Sequence, residues 1–395
     1  MSEKAAEILI VDDKPANLRL LAQVLTEHGY QVRSMTSGAR ALESALATPP
    51  DLILLDVRMP EMDGFAVCAA LKAQVQTRDI PIIFISALDS VDDKIAAFRL
   101  GGVDYVTKPF QPDEVLARAE THLALRELQR RLQESNRRYR RELALAGQIQ
   151  ASFLPQALPT LPGWQLAARL IPSRETSGDF FDVVALPEGR WGFLIADVAD
   201  KGVGAALFMA LCWGLIRTYL ARTPTAPAQV FEAVNRHLLQ DTTAGEFVTV
   251  FLGVLDATTG RLTYANAGHC PALLASAGRA PEQRRVERLG NTGAPLGVLE
   301  TMAWTQHEIT MHPSDTLLLY TDGISEAQST EGRFFCIEGL EAVMQASQGE
   351  SAAGLLEQVL RAVDSFSGGR QPESDDVAVL ALRRDGGARE GDWQD

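Results

Sequence analysis

From Pro112 to Gln150 the chain meets no further proline and a single glycine, Gly147. Nothing in that stretch can turn it, and Pro112 suits the first turn of a helix. A helix over 112–150 therefore divides the chain. At 395 residues the chain is already too long for one ordinary core, and two domains joined by this connector are expected. Leu125, Leu128, Leu132 and Tyr139 fall on a heptad seam that Ser135 and Glu142 interrupt. The pattern predicts a weak coiled-coil linker and a homodimer formed through it. Seven arginines against two glutamates between Arg126 and Arg141 read better as a solvated helix face than as a nucleic-acid site. The net charge of −14 argues the same way, against nucleic acid as a partner.

Before the connector, the apolar runs EILIV, QVRSM, DLILL, PIIFI and DYVT alternate with helical stretches. That is the pattern of a parallel sheet flanked by helices. Polar residues stand where the runs end: Asp12 and Asp13, Asp56, Ser86, and Lys108. Sites in such sheets lie at the carboxyl ends of the strands. Three carboxylates gathered there would repel one another unless a hard cation joined them, and Mg²⁺ suits an oxygen-only site. A carboxylate beside such a cation is a plausible phosphoryl acceptor, which Lys108 and Ser86 could contact.

The ordered set of an acidic pair, DVRMPEMDG, Ser-Ala and KPF resembles a two-component receiver domain over residues 5–122. The resemblance implies a flavodoxin-like, doubly wound α/β fold. It implies phosphorylation of Asp56 by a histidine kinase or phosphotransfer protein. It places Asp12, Asp13, Asp56 and the backbone of Arg58 around Mg²⁺, with Ser86 and Lys108 on the phosphate and Tyr105 as switch aromatic. A cis Lys108–Pro109 bond is also implied.

After the connector, Leu154-Pro155 and Pro159 to Gly163 mark a boundary. Strand-like and helix-like stretches then cluster as in α+β domains. In SGDFFDVVALPEGRWGFLIADVADKG the turn Pro187–Arg190 joins two strands, Asp179–Leu186 and Trp191–Asp197. A midpoint between Glu188 and Gly189 makes facing residue numbers sum to about 377, so Asp179 faces Val198, one step from Asp197. Such a carboxylate pair requires a shared proton or a cation. Asp322 in LLLYTDG and Asp375 in SDDVAVLAL also stand at strand ends. Carboxylates from several strands on one rim suit a two-metal hydrolytic site.

The motifs IQASFLP, SGDFFDV, ADVADKGVGAALFMA, FVTVFLGVLD, NAGHCPALL, GAPLGV, YTDGISEA and SDDVAVLAL resemble bacterial PPM-type serine/threonine phosphatases of the branch controlling sporulation and stress sigma factors. For residues 151–384 this implies an α-β-β-α sandwich holding two Mn²⁺ or Mg²⁺ ions. Asp179, Asp197, the Val198 carbonyl, Asp322 and Asp375 are the implied metal ligands, with Asp197 and Asp322 central to catalysis. Ala378 replaces the usual threonine of the last motif, and DVADKG stands for DVSGKG; neither change removes a ligand. His269 in NAGH suits a structural loop role at least as well as acid catalysis.

Joined, the halves predict a response regulator that dephosphorylates a phosphoserine or phosphothreonine protein, in this branch an anti-sigma-factor antagonist, under control of Asp56. The alternative is an adaptor with weak catalysis that binds a sigma factor or its regulator; loss of metal ligands would be its sign. No cyclase motif and no helix-turn-helix is visible. The four scattered cysteines, Cys68, Cys212, Cys270 and Cys336, read as buried reduced thiols of a cytoplasmic protein. The N-terminus has no signal-peptide pattern. The longest apolar run, Ala205–Ile216, is a core helix rather than a membrane span. Residues 385–395 read as a disordered tail.

Overall fold

A computed structural model describes residues 5–87, 91–241, 245–276, 285–347, 349–369 and 375–386. The chain divides into two compact units, Met1–Arg138 and Tyr139–Asp395.

In the first unit the five apolar runs are strands β1 (Glu7–Val11), β2 (Gln31–Met35), β3 (Leu52–Asp56), β4 (Ile82–Ser86) and β5 (Asp104–Thr107). They alternate with helices α1 (Pro15–Glu27), α2 (Gly38–Ala47), α3 (Gly64–Lys72) and α4 (Val91–Arg99). The sheet is parallel, in the order β2-β1-β3-β4-β5, the flavodoxin-like winding. Its inner strands β1, β3 and β4 are apolar on both faces because helices cover both. Leu9, Ile53, Leu55 and Phe84 pack on one side and Ile8, Ile10, Leu54 and Ile83 on the other.

Helix α5 (Pro112–Ala151) is continuous. Asp113 and Glu114 lie in its first turn, where carboxylates complement the helix dipole. Arg130 and Arg131 form local ion pairs with Glu127 and Glu134, the solvated basic face expected from the sequence. Arg126 instead donates to the Pro50 and Asp51 carbonyls.

The second unit stacks two antiparallel sheets between helices. The elements are β6 (Trp164–Ile171), β7 (Phe180–Ala185), β8 (Arg190–Val198), α6 (Val203–Arg222), α7 (Pro227–Asp241), β9 (Val248–Asp256), β10 (Arg261–Ala267), β11 (Ala272–Ser276) and β12 (Arg285–Leu289). Then come β13 (His307–Thr310), β14 (Thr316–Tyr320), α8 (Asp322–Ser325), α9 (Cys336–Ala346), α10 (Ala352–Ser367) and β15 (Val377–Arg384). The sheets run β13-β10-β9-β8-β7 and β12-β11-β14-β15-β6. Phe193 and Ile195 of β8 meet Leu319 and Leu380 of the other sheet in the middle layer. Leu194, Ala196 and Val198, on the opposite face of β8, pack under α6 and α7. Leu318, Tyr320 and Val379 face α9 and α10. The result is the α-β-β-α sandwich, with strand periodicity deciding which side chain enters which layer.

Helix α6 is long and apolar enough, by length and composition alone, to cross a membrane. Met209, Cys212, Ile216 and Leu220 on one of its faces are nevertheless packed into the core against the sheet. The expectation of four buried cysteines needs correction. All four are free, but only Cys68 and Cys212 are buried; Cys270 is half-buried and Cys336 exposed. Cys336 sits at the exposed start of α9 with φ of 59°, outside any packed layer. Asp385 is anchored rather than loose, bonding the Gly163 carbonyl and the Gln165 side chain. From residue 387 onward the expected tail lies outside the described residues.

Candidate functional sites

In the first unit Asp12 and Asp56, both buried, stand at the ends of β1 and β3 with Asp13 beside them. Ligand oxygens of the three lie within 4.8 Å of one another. Lys108 Nζ bridges Asp12 Oδ2 and Asp56 Oδ2 at 2.7 Å each. The Arg58 amide points at Asp56 Oδ1 from 3.4 Å. Burial, with Asp12 adding to it, holds the Asp56 carboxyl above its usual range against the pull of Lys108. Asp13 Oδ1 is buried without a hydrogen-bond partner. An orphaned carboxylate oxygen in a cluster of hard donors is what a divalent cation satisfies. Ser86 is fully buried at the end of β4, and its carbonyl accepts from Lys108 N at 2.7 Å. Tyr105 is buried, with Lys94 Nζ 5.8 Å from its ring centre. The Lys108–Pro109 bond is cis.

In the second unit the expected hairpin forms with a corrected register. Phe180 pairs with Ala196, so facing numbers sum to 376 rather than 377. The turn has an odd number of residues, Pro187–Gly189, and is centred on Glu188 with φ of 62°. One further step along this register puts Asp179 directly opposite Asp197, not Val198. Both aspartates have the parity of Phe181 and Phe193, so they point between the two sheets, at the rim of the middle layer.

Thr321 Oγ1 donates to Asp179 Oδ2 at 2.6 Å from the end of β14. Asp179 is 2% exposed. Burial and then the charge of Asp197 hold its carboxyl well above the usual range. Burial and then Asp322 push Asp197 up to about 7, although a hydrogen bond with Asp179 counteracts this. Burial and then Asp375 push Asp322 up to about 6. Asp375 is more open and pairs with Lys201 at 2.9 Å. Asp179, Asp197 and Asp322 thus sense neighbouring acids electrostatically, without the close convergence seen at Asp12, Asp13 and Asp56. The Val198 carbonyl lies against Gly178, where an added Cβ would come within 3.0 Å of it. Carboxylates whose pKa values are raised by burial and by neighbouring acids form a hard-oxygen donor set, which suits Mg²⁺ or Mn²⁺.

This has a thermodynamic consequence. Asp197 and Asp322 have folded pKa values above the ordinary 3.8. Their stabilising contribution is complete below that value and disappears as pH rises through about 6 to 7. In chelator, the unfolding midpoint of this unit should therefore fall between pH 5 and pH 8, on the order of a few kcal/mol in stability. Saturating Mn²⁺ should remove the fall, since cations bind the deprotonated ligands. Calorimetry in both media checks this; equal midpoints at the two pH values in chelator would contradict it.

His269 is buried, with Nδ1 against Thr249 Oγ1 at 2.8 Å and Nε2 against the Tyr320 carbonyl at 3.1 Å. Burial pushes its pKa down to about 4. It is a neutral bridge between the two sheets.

Two further residues hold the segment ahead of Asp179. Asp376, buried beside Asp375, accepts from Ser173 N and Oγ at 2.6 and 2.8 Å and from Gly178 N at 2.8 Å. Gln150, in the last turn of α5, clasps Ser177: Nε2 donates to its carbonyl at 2.5 Å and Oε1 accepts from its amide at 2.9 Å. Gly147 allows the approach, because a Cβ there would stand 2.0 Å from the Glu175 carbonyl. The motifs IQASFLP and SDD contained both residues without revealing what they hold. Gln150→Leu should strand two buried backbone groups, destabilise the unit by about 3 kcal/mol and lower kcat/KM. Thermal unfolding and phosphoester kinetics check it; an unchanged midpoint and rate would refute the clasp.

The Stage II sporulation protein E (SpoIIE) family model matches residues 187–385, and the response regulator receiver domain model matches residues 8–120. Protein IcfG of Synechocystis sp. is 32% identical over 275 residues, 62% of this chain and 42% of IcfG. Response regulator PleD of Caulobacter vibrioides is 45% identical over 117 residues, 30% of this chain and 26% of PleD. The chain thus spans less than half the length of either relative. The SiaA-PP2C domain of Pseudomonas aeruginosa superposes with a TM-score of 0.56 at 21% identity, covering 64% of this chain and 99% of that domain; this is a likeness of fold. The acid-rimmed sandwich and the parallel-sheet acid pocket thus each coincide with a matched family, and the chain belongs to the SpoIIE family, carrying a receiver domain ahead of its phosphatase domain.

Proposed function

We propose that the protein is a response regulator whose output is metal-dependent dephosphorylation of a phosphoserine or phosphothreonine protein. The observation that carries this reading is the rim itself. Asp179 and Asp197 stand face to face between two sheets, with Asp322 and Asp375 from the second sheet raising or sensing their charge. Asp179, Asp197, the Val198 carbonyl, Asp322 and Asp375 would hold two Mn²⁺ or Mg²⁺ ions. Bound there, such ions supply an activated water and neutralise phosphate oxygens. The protein's own part is orientation: Thr321 fixes the Asp179 carboxylate, and Asp376 and Gln150 fix the backbone that carries it.

Asp56 is the phosphoacceptor in this reading, with Mg²⁺ held by Asp12, Asp13, Asp56 and the Arg58 backbone. Lys108 and Ser86 contact the added phosphoryl group. The donor is a histidine kinase or phosphotransfer protein, and the setting is cytoplasmic. Leu125, Leu128, Leu132, Tyr139 and Ile149 are exposed on α5 and share one heptad seam. A second copy of the chain would cover them in a homodimer. The substrate class suggested by the family branch is an anti-sigma-factor antagonist. The adaptor alternative is disfavoured because all four acids are in place.

The direct test is hydrolysis of p-nitrophenyl phosphate with Mn²⁺ and then with chelator. Turnover that chelation abolishes supports an enzyme; none under either condition, with Mn²⁺ shown to bind, would favour the adaptor.

A further inference from the structure

Next to the acid rim lies a cavity of about 530 Å³, within the size range of ligand clefts. Gly323 and Asp375 are among its lining residues, so it borders the proposed metal site at Asp375. It then runs outward between α10 and the ends of β6 and β15. Ile171, Val377, Leu360 and Val363 give it an apolar floor. Leu360, Val363 and Val377 are only partly covered by the core beneath them. Its walls are charged. Arg169 and Glu357 neutralise each other at 3.2 Å. Among the described lining residues that leaves Glu326 and Asp364 against Arg361, and all three are exposed.

We infer that this cleft receives the polypeptide flanking the phosphorylated residue of the substrate, and that it selects a segment with apolar side chains and a basic one. The inference rests on the phosphatase reading of the acid rim. Three observations support it. The cleft shares Asp375 with the proposed metal site, so a chain whose phosphoryl group lies at the acids has this cleft beside it. Its floor is apolar and already partly desolvated, which rewards apolar side chains. Among the described residues its wall charge is net negative once the internal pair is set aside, which attracts a cationic flank and discourages an acidic one. Binding energy gathered away from the reacting phosphoryl group is available to position it. A small phosphoester, which does not enter the cleft, gains nothing from it.

The test uses the full-length protein with Mn²⁺ and a positional library of phosphoserine peptides, with p-nitrophenyl phosphate as the small-substrate control. Asp364 and Arg361 lie on the exposed side of α10 and take no part in the metal site. Asp364→Lys should lower kcat/KM about fivefold for peptides with a basic flank, the order expected for one exposed charge pair lost and one repulsion gained. Arg361→Glu should raise it for the same peptides. Both should leave p-nitrophenyl phosphate turnover within about twofold of the parent. Identical peptide preferences in the parent and both variants, or a parent with no flank preference, would overturn the docking inference while leaving the phosphatase standing. A parent that hydrolyses neither peptides nor p-nitrophenyl phosphate would instead overturn the phosphatase reading, and this inference with it.

Discussion

Asp197→Ala is expected to lose phosphatase turnover by at least about a thousandfold, the scale of removing a principal electrostatic group from an active site. The residue belongs to β8, paired on both sides by β7 and β9, so truncating its side chain leaves the sheet intact. What disappears is a carboxylate that Asp179 faces across the hairpin and that burial and Asp322 hold near pH 7. The same substitution removes a repulsion. In chelator above pH 7 the variant should therefore unfold at a higher temperature than the parent, while with Mn²⁺ it should gain less from the metal. Loss of activity together with gain of metal-free stability is the pattern expected of an acid kept for function. Parent-level turnover of p-nitrophenyl phosphate in the variant would remove Asp197 from the site.

The second large effect concerns the first unit. Asp56→Asn should abolish acyl phosphate formation from acetyl phosphate, read as loss of the phosphoryl mass increment. Among the described residues Asp56 is the carboxylate met by both Lys108 Nζ and the Arg58 amide. Asp12 shares the lysine, but its oxygens already accept from the Lys14 amide and the Asn17 side chain. Phosphorylation of the variant at the parent rate would show that another residue is the acceptor.

The receiver was legible in the sequence because β1, β3, β4 and β5 each end in or just before a polar residue, and those residues are the site. The second site was legible in its acids but not in their geometry. The register of the β7–β8 hairpin turned on one residue of the turn, and composition does not say whether a turn holds an odd or an even number. Strands β11 and β13 carry weak sequence signals for a related reason. Ala272–Ser276 is brief, and His307–Thr310 is an edge strand with three of four residues exposed, so neither alternates clearly. The residues that hold the Asp179 segment were invisible because their bonds are long-range: Asp376 reaches Gly178 across 198 positions and Gln150 reaches Ser177 across 27. Strand parity was the usable signal. Asp179, Asp197, Thr321 and Asp376 all share the parity of inward-facing core residues on their strands, and that alone places them on one rim.

The most direct test of the whole account is the initial rate of phosphate release from a phosphoserine protein in Mn²⁺, measured before and after Asp56 is phosphorylated. The account predicts a rate that chelation abolishes and that phosphorylation of Asp56 changes. A rate that survives chelation, or one indifferent to the state of Asp56, would contradict it.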